Sequence, residues 1–261
     1  MKGAVFTYII LSCTILFAAS GDYDITFKQL NMQSSEINYT LSSYKVDKIN
    51  IEGQNFSKIN FKSDNITRKK GYAHLPVISR AIQLPAQKNV NLIIKDVQYE
   101  DCRLDYPLIP SKGVIYRSNN IDNTSYNIDP VSLVNEWYPS EIAVKTRPYI
   151  VKDVRGTNIQ IHPFQYNAQK NILRVYTHIT LELVENTDTP TNPLYPANSF
   201  HSSDLQFVYE SAFLNYEPQN KLAKSGNLTV QQLGDLLVIT TPRDEEVYCL
   251  HRNCRSWKQC C

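Results

Sequence analysis

Ile172-Leu-Arg-Val-Tyr-Thr-His-Ile-Thr-Leu-Glu-Leu-Val184 decides the fold class of this 261-residue chain. In an extended backbone Leu173, Val175, Thr177, Ile179, Leu181 and Leu183 share one face, while Arg174, Tyr176, His178, Thr180 and Glu182 share the other. Successive side chains of a strand leave on opposite sides, so a period of two sustained this long predicts a β-strand with one wet face. The polar segment Tyr166-Asn-Ala-Gln-Lys-Asn171 just before it is short enough to be a hairpin connection from a strand over residues 160–164.

Working outward, Tyr44–Ile51, Asn91–Val97, Lys112–Tyr116, Tyr149–Val154 and Ile159–His162 are strand-length runs bounded by Pro, Gly and Asn. No convincing long helix is present between residues 21 and 185. With 17 tyrosines, 13 prolines and 8 glycines the composition fits the same picture, since Tyr covers half-buried sheet faces and Pro marks edges and corners. Glu185-Asn-Thr-Asp-Thr-Pro-Thr-Asn-Pro193 breaks the pattern as a loop, and aromatic and apolar residues resume over 205–216. The expected organisation is a signal peptide over 1–20, an all-β domain over 21–217, a polar linker over 218–234 and the truncated start of an α/β domain over 235–261. In that last stretch Leu236-Leu-Val-Ile-Thr-Thr-Pro242 has the look of a buried parallel strand, and Val247, Leu250, Cys254, Trp257 and Cys261 recur at helical spacing. Any active site of such a domain is expected to lie past Cys261.

Met1-Lys2 followed by the uncharged run Gly3–Ser20 reads as a secretory signal, with small residues favouring cleavage after Ser20, or next after Ala19. The run barely reaches bilayer length, and the residues before Cys13 are a poor lipid-attachment context, so no membrane association is expected once the signal is removed. Near-balance of 27 basic and 25 acidic residues argues against nucleic acid as a partner. The exported cysteines are Cys102, alone in the body, and Cys249, Cys254, Cys260 and Cys261 at the end, so no disulfide framework staples the main domain. Cys249, His251, Cys254 and Cys260 match no zinc spacing; neither metal nor cofactor is expected.

The body lacks a catalytic constellation. His74, His162, His178 and His201 are scattered, and none has a serine or cysteine nucleophile in a recognisable setting. His178 belongs to the wet face of its strand, Cys102 reads as a partly buried free thiol, and Glu100 and Asp101 leave opposite sides of a strand. Asn38, Asn55, Asn65, Asn123 and Asn227 begin Asn-x-Ser/Thr sequons and mark exposed loops.

A set of motifs then points to one family. They are Ser111-Lys-Gly-Val-Ile-Tyr-Arg117, Trp137-Tyr-Pro-Ser-Glu-Ile142, Val151-Lys-Asp-Val-Arg-Gly156, His162-Pro-Phe-Gln-Tyr-Asn167 and Leu173-Arg-Val-Tyr176, joined by Gly71, Leu75-Pro-Val-Ile-Ser-Arg80 and Phe213-Leu-Asn-Tyr-Glu217. Together they resemble the propeptide of the gingipain cysteine peptidases over roughly residues 70 to 217, and Asp235-Leu-Leu-Val-Ile-Thr240 with Trp257-Lys258 resembles the start of the catalytic domain. The resemblance implies an antiparallel β-sandwich-like prodomain whose partner is the catalytic domain of a Cys/His peptidase selective for Arg or Lys, which it holds latent and helps to fold. It places Arg117 as the substrate-like side chain offered to the specificity pocket, a role that suits a planar, permanently charged guanidinium. The family's processing junction follows the Asn-Tyr-Glu motif closely with an Arg, whereas the first basic residues here are Lys221 and Lys224, which become the processing candidates. The family's catalytic cysteine and histidine have no counterpart in this sequence. Arg147, before Pro148, and Arg155, read as part of a turn before Gly156, are the other basic residues with a motif position. The competing reading is a stand-alone secreted β-sandwich that binds or inhibits another protein.

Overall fold

The computed structural model describes residues 22–116, 125–195 and 205–216. Ser20, Arg117, Asn123, His201, Lys221, Lys224, Asn227, the four C-terminal cysteines and the expected α/β segment lie outside the described residues.

Two antiparallel five-stranded sheets carry the domain. The first places β1 (Tyr23–Gln29) beside β2 (Ser34–Leu41), and β2 beside β12 (Ile172–Asn186); the short β11 (Phe164–Asn167) continues along the same side of β12, and β7 (Asn89–Arg103) runs along its other side. The second contains β5 (Asn65–Ile66), β6 (Pro76–Gln83), β10 (Val154–Ile161), β8 (Ala143–Lys145) and β9 (Tyr149–Val151). A separate hairpin, β3 (Lys45–Ile51) and β4 (Gln54–Asn60), is held by backbone bonds between Ser57 and the 107–109 segment. The all-β expectation therefore holds.

The strand that β12's alternation predicts is its 15 residues long, with Leu173, Val175, Ile179, Leu181 and Leu183 buried. The period is interrupted where Tyr176 pairs with Tyr99 but His178 pairs with Gln98, leaving Thr177 as an extra residue. A bulge re-aims its neighbours. Tyr176, expected on the wet face, is instead buried and donates its hydroxyl to Gln165 Oε1 at 2.6 Å, while Thr177 is half-buried. Ile37, Tyr39, Ile179, Leu181 and Leu183 of the first sheet pack with Ile78, Ile82, Ile159 and Ile161 of the second, and a second cluster gathers Ile59, Leu75, Leu108, Phe164, Leu173 and Val175. Removing these side chains from water is the main favourable term holding the two sheets together.

Three local expectations are corrected. Lys112–Tyr116 forms no ladder, and its apolar residues face solvent rather than a sheet neighbour. Tyr149–Val154 is a hairpin rather than one strand: Lys152, at φ 53°, turns β9 back onto β10. The hairpin before β12 begins later than the polarity of 166–171 implies, because Tyr166 and Asn167 belong to β11 and only residues 168–171 turn. Tyr166 is buried with its hydroxyl on Asn171 Oδ1 at 2.6 Å, so polar tips satisfied inside the fold disguised a strand as a connector.

Residues 205–216 cover the outer face of the second sheet. Helix α1 (Gln206–Ala212) leads to Phe213, which pairs with Ala81; Asn215 then holds Gln83 from both sides, accepting its N–H at 2.6 Å and donating to its carbonyl at 3.0 Å. Gly156 makes room for the Phe213 ring, since a Cβ there would lie 2.4 Å from a ring carbon. Tyr209 donates to Asp153 at 2.5 Å, and burial together with that carboxylate pushes the phenol up to about 12.

Arg155 is on β10, not in a turn, and is 1% exposed. It shares the core-facing side with Ile159 and Ile161. Its guanidinium donates to four carbonyls: Pro85 and Lys88, both at 2.7 Å, on the connection into β7, and Thr191 and Asn192, at 2.8 and 2.9 Å, on the connection out of β12. One side chain of the second sheet thus ties down both loops that serve the first. Arg155→Met should deprive four carbonyls of their charged donor and lower the unfolding free energy by about 3 kcal/mol, with Arg155→Lys recovering only part of it. Denaturant midpoints measure this, and an unchanged midpoint for the methionine variant would remove Arg155 from that role.

Candidate functional site

The loop from Lys112 to Ile128 leaves and re-enters the domain at one residue. Gly71 donates its N–H to the Ser111 carbonyl at 2.9 Å and accepts the Asp129 N–H on its own carbonyl at 3.0 Å. This two-sided bond needs Gly71 at φ +79°, and a Cβ there would come within 2.5 Å of the Asp129 Cβ. Only glycine meets both conditions cheaply.

Each stem is secured further. On the outgoing side Ser111 is buried, its N–H donates to Tyr72 O at 2.7 Å and its hydroxyl to Thr67 O at 3.1 Å, while that hydroxyl accepts the Gly113 N–H at 3.2 Å. Thr67, also buried, donates to Ala73 O and accepts from Leu75, so the anchor continues to the start of β6. On the returning side Asp129 caps a short 3-10 turn over Pro130–Ser132, its carboxylate accepting the Val131 N–H at 3.0 Å, and Ser132 donates back to Asp129 O at 2.6 Å. The Lys112 ammonium sits 4.3 Å above the Tyr126 ring and joins the two stems. Beyond these anchors Val114, Ile115 and Tyr116 stand 54%, 40% and 67% exposed. Arg117 is the next residue along this stem and lies outside the described residues.

The remaining singled-out residues are structural. His162 donates from Nδ1 to Glu141 O at 2.6 Å, and burial lowers its pKa against the opposing pull of Glu141. Burial, aided by Lys58, lowers His74 as well. His178 lies between the hydroxyls of Thr40 and Thr180 at 3.2 and 3.1 Å. Cys102 is half-buried with the Tyr44 hydroxyl 3.8 Å from its sulfur, and burial with that contact pushes Tyr44 up to about 12. Asp101 is held below its ordinary pKa by a two-point bond to Arg174, whose guanidinium lies between the Tyr99 and Trp137 rings at 3.9 and 4.0 Å. Glu100, its neighbour, takes no part in that ion pair. Among the described residues no group of three or more His, Cys, Asp or Glu side chains could hold a metal.

The sequence motifs meet in pairs. Trp137–Ile142 lies against His162–Asn167: Tyr138 and Tyr166 exchange backbone bonds at 3.0 and 2.8 Å, Gln165 donates to Pro139 O at 2.6 Å, and the His162 N–H donates to Ile142 O at 2.8 Å. Val151–Gly156 receives Phe213 and Tyr209 of the covering segment. Sequence reasoning passed over Asp129 and Thr67, whose roles are visible only once Gly71 brings distant segments together; a glycine flanked by lysine and tyrosine was the available signal.

The kind of two-sheet antiparallel domain that this is follows from comparison with known proteins. The C25 propeptide model matches residues 18–223, and the chain belongs to that family. Gingipain R2 of Porphyromonas gingivalis is 26% identical over 223 residues, covering 84% of this chain and 30% of the relative. Gingipain R1 of the same organism is 28% identical over 177 residues, covering 68% of this chain and 17% of the relative. The chain therefore spans less than a third of these relatives' length. The complex of Porphyromonas gingivalis RgpB pro- and mature domains contains a chain that matches with a TM-score of 0.66 at 24% identity, covering 74% of this chain and 98% of that one. A structure concerning the zymogenic latency of gingipain K from Porphyromonas gingivalis matches with a TM-score of 0.57 at 15% identity, covering 66% and 97%. At these identities both establish the fold.

Gly71→Ala should strain the backbone and push Asp129 away, at a cost of about 1–3 kcal/mol. Faster amide exchange at Gly71 and Asp129, with faster proteolysis between residues 112 and 128, is the expected result; unchanged exchange at both amides would show that the clamp does not depend on glycine.

Proposed function

We propose that this propeptide domain holds the catalytic domain of a gingipain-like cysteine peptidase latent and assists its folding, with Arg117 as the side chain that occupies the specificity pocket. The observation that carries the reading is the Gly71 clamp, which fixes both stems of the loop on which Arg117 follows Tyr116. An inhibitor gains affinity when its contact residue is held in place before binding, because less conformational freedom is lost on association. The structural relatives, one concerning a pro- and mature-domain complex and one concerning zymogenic latency, support the same assignment.

In this scheme residues 1–20 export the chain with cleavage after Ser20, 21–217 form the inhibitory domain, and the linker over 218–234 offers Lys221 and Lys224 for removal of the propeptide. Residues 235–261 begin the peptidase domain. The domain itself performs no chemistry and needs no cofactor. Among the described residues no helix is long and apolar enough to cross a membrane. A planar guanidinium in a pocket ending in a carboxylate makes a two-point, charge-assisted contact, and losing it leaves the pocket charge unpaired.

Arg117→Ala should weaken inhibition of the cognate peptidase by about 2–5 kcal/mol, roughly 30-fold or more. Arg147→Ala serves as the control, since Arg147 is exposed at the connection between β8 and β9. Arg117→Lys should cost less against a Lys-selective enzyme than against an Arg-selective one. Inhibition constants decide it: equal constants for the wild-type and Arg117→Ala chains would refute the assignment.

A further inference from the structure

The clamp that roots the loop is also where exposed apolar side chains gather. Val114, Ile115 and Tyr116 on the outgoing stem are joined on the returning stem by Val131, Leu133 and Val134, which are 68%, 49% and 42% exposed. The two triads emerge from adjacent points, because Ser111 and Asp129 are bonded to opposite ends of the same glycine. Between residues 130 and 135 the returning stem, Pro-Val-Ser-Leu-Val-Asn, carries no charge. Neither stem belongs to a sheet ladder, so pairing geometry does not force these side chains outward.

Single exposed apolar residues are ordinary, but several around one feature mark a docking surface. The returning triad is also held in place: Pro130 restricts the backbone, Asp129 accepts the Val131 N–H at 3.0 Å, and Leu133 donates its N–H to Pro130 O at 3.1 Å. A rigid apolar surface loses little freedom on binding.

We infer that these six side chains form an apolar collar that docks on the C25 catalytic domain outside its specificity pocket, so that complex formation does not depend on one basic side chain. The inference rests on the proposed identity of the partner. Continuity selects that occupant over others. Tyr116 precedes Arg117 directly, and Val114 is three residues away, no more than about 11 Å along an extended chain. Whatever protein receives the tip of this loop must present its surface to the stems. Such a collar calls for an uncharged, apolar surface on the peptidase around the mouth of that pocket.

Binding of the full chain to the cognate catalytic domain, followed on a biosensor, tests the collar. Val114→Asp and Val131→Asp should each weaken binding tenfold or more, and each should do so again in an Arg117→Ala background, which retains measurable affinity. Phe207→Asp is the control, because Phe207 is 78% exposed on α1, away from the clamp. The thermal midpoints of the aspartate variants should match the parent, since the replaced side chains already face water; if Val131→Asp unfolds, Val131→Ser carries the same readout. Aspartate variants that bind as tightly as Phe207→Asp would overturn the collar, and loss of affinity in Arg117→Ala alone would leave the pocket reading standing without it. Weakening by the aspartates with Arg117→Ala unchanged would do the reverse, supporting the collar and removing Arg117. Absence of any complex would sink both.

Discussion

A guanidinium buried without a carboxylate ties two connections of this domain to its second sheet. Arg155 is a charge in the interior whose hydration is replaced by four carbonyl dipoles, and those carbonyls belong to the connection into β7 and the connection out of β12. Charge-dipole bonds of this kind are stronger than neutral ones. Their geometry is selective, because a carbonyl that drifts away leaves an N–H of the buried guanidinium unsatisfied. Hydrophobic burial between β12 and β10 supplies the bulk of the favourable free energy, and Arg155 ties the two connections to the second sheet. Burial lowers its pKa from the ordinary value, but an arginine stays protonated in proteins.

The same division of labour recurs at the loop. Scaffold and proposed recognition segment are separate: the sheets are closed by apolar packing, and the segment that follows Ser111 and precedes Asp129 is joined to them through Gly71 and Thr67. Functional residues commonly sit on loops positioned by a rigid frame. Backbone groups of Gly71, Ser111 and Asp129 bond within the clamp, and the buried Ser111 hydroxyl accepts the Gly113 N–H, so the roots of the loop are held without a ladder. Membership of the C25 propeptide family is the ground for the proposed catalytic-domain partner, and the clamp would give that pairing a physical basis in preorganisation.

Much of this architecture was legible in the residues. The alternation of Ile172–Val184 located the strand on which the first sheet is built, because Leu173, Val175, Ile179, Leu181 and Leu183 are the buried residues and apolar side chains mark them, while the bulge at Thr177 left no such mark. Lys112–Tyr116 carried an equally apolar signal and is no strand, since periodicity records which side chains are apolar and not whether a neighbour exists to pair with them. Tyr149–Val154 misled through Lys152, a residue with no special preference for positive φ. Arg155 was unreadable as a core residue: its partners are backbone carbonyls from residues 85 to 192, and a carbonyl has no signature in sequence. Gly71 entered only through family resemblance, although its positive φ and its closeness to Asp129 explain why a side chain is excluded there.

Amide hydrogen exchange of the domain, with and without the cognate catalytic domain, tests most directly whether the clamped loop is the recognition surface. Slowed exchange over residues 112–116 and 130–134, with the long edge strand Asn89–Arg103 unaffected, is the predicted footprint. Protection confined to that edge strand, with both stems exchanging as in the free domain, would contradict the account.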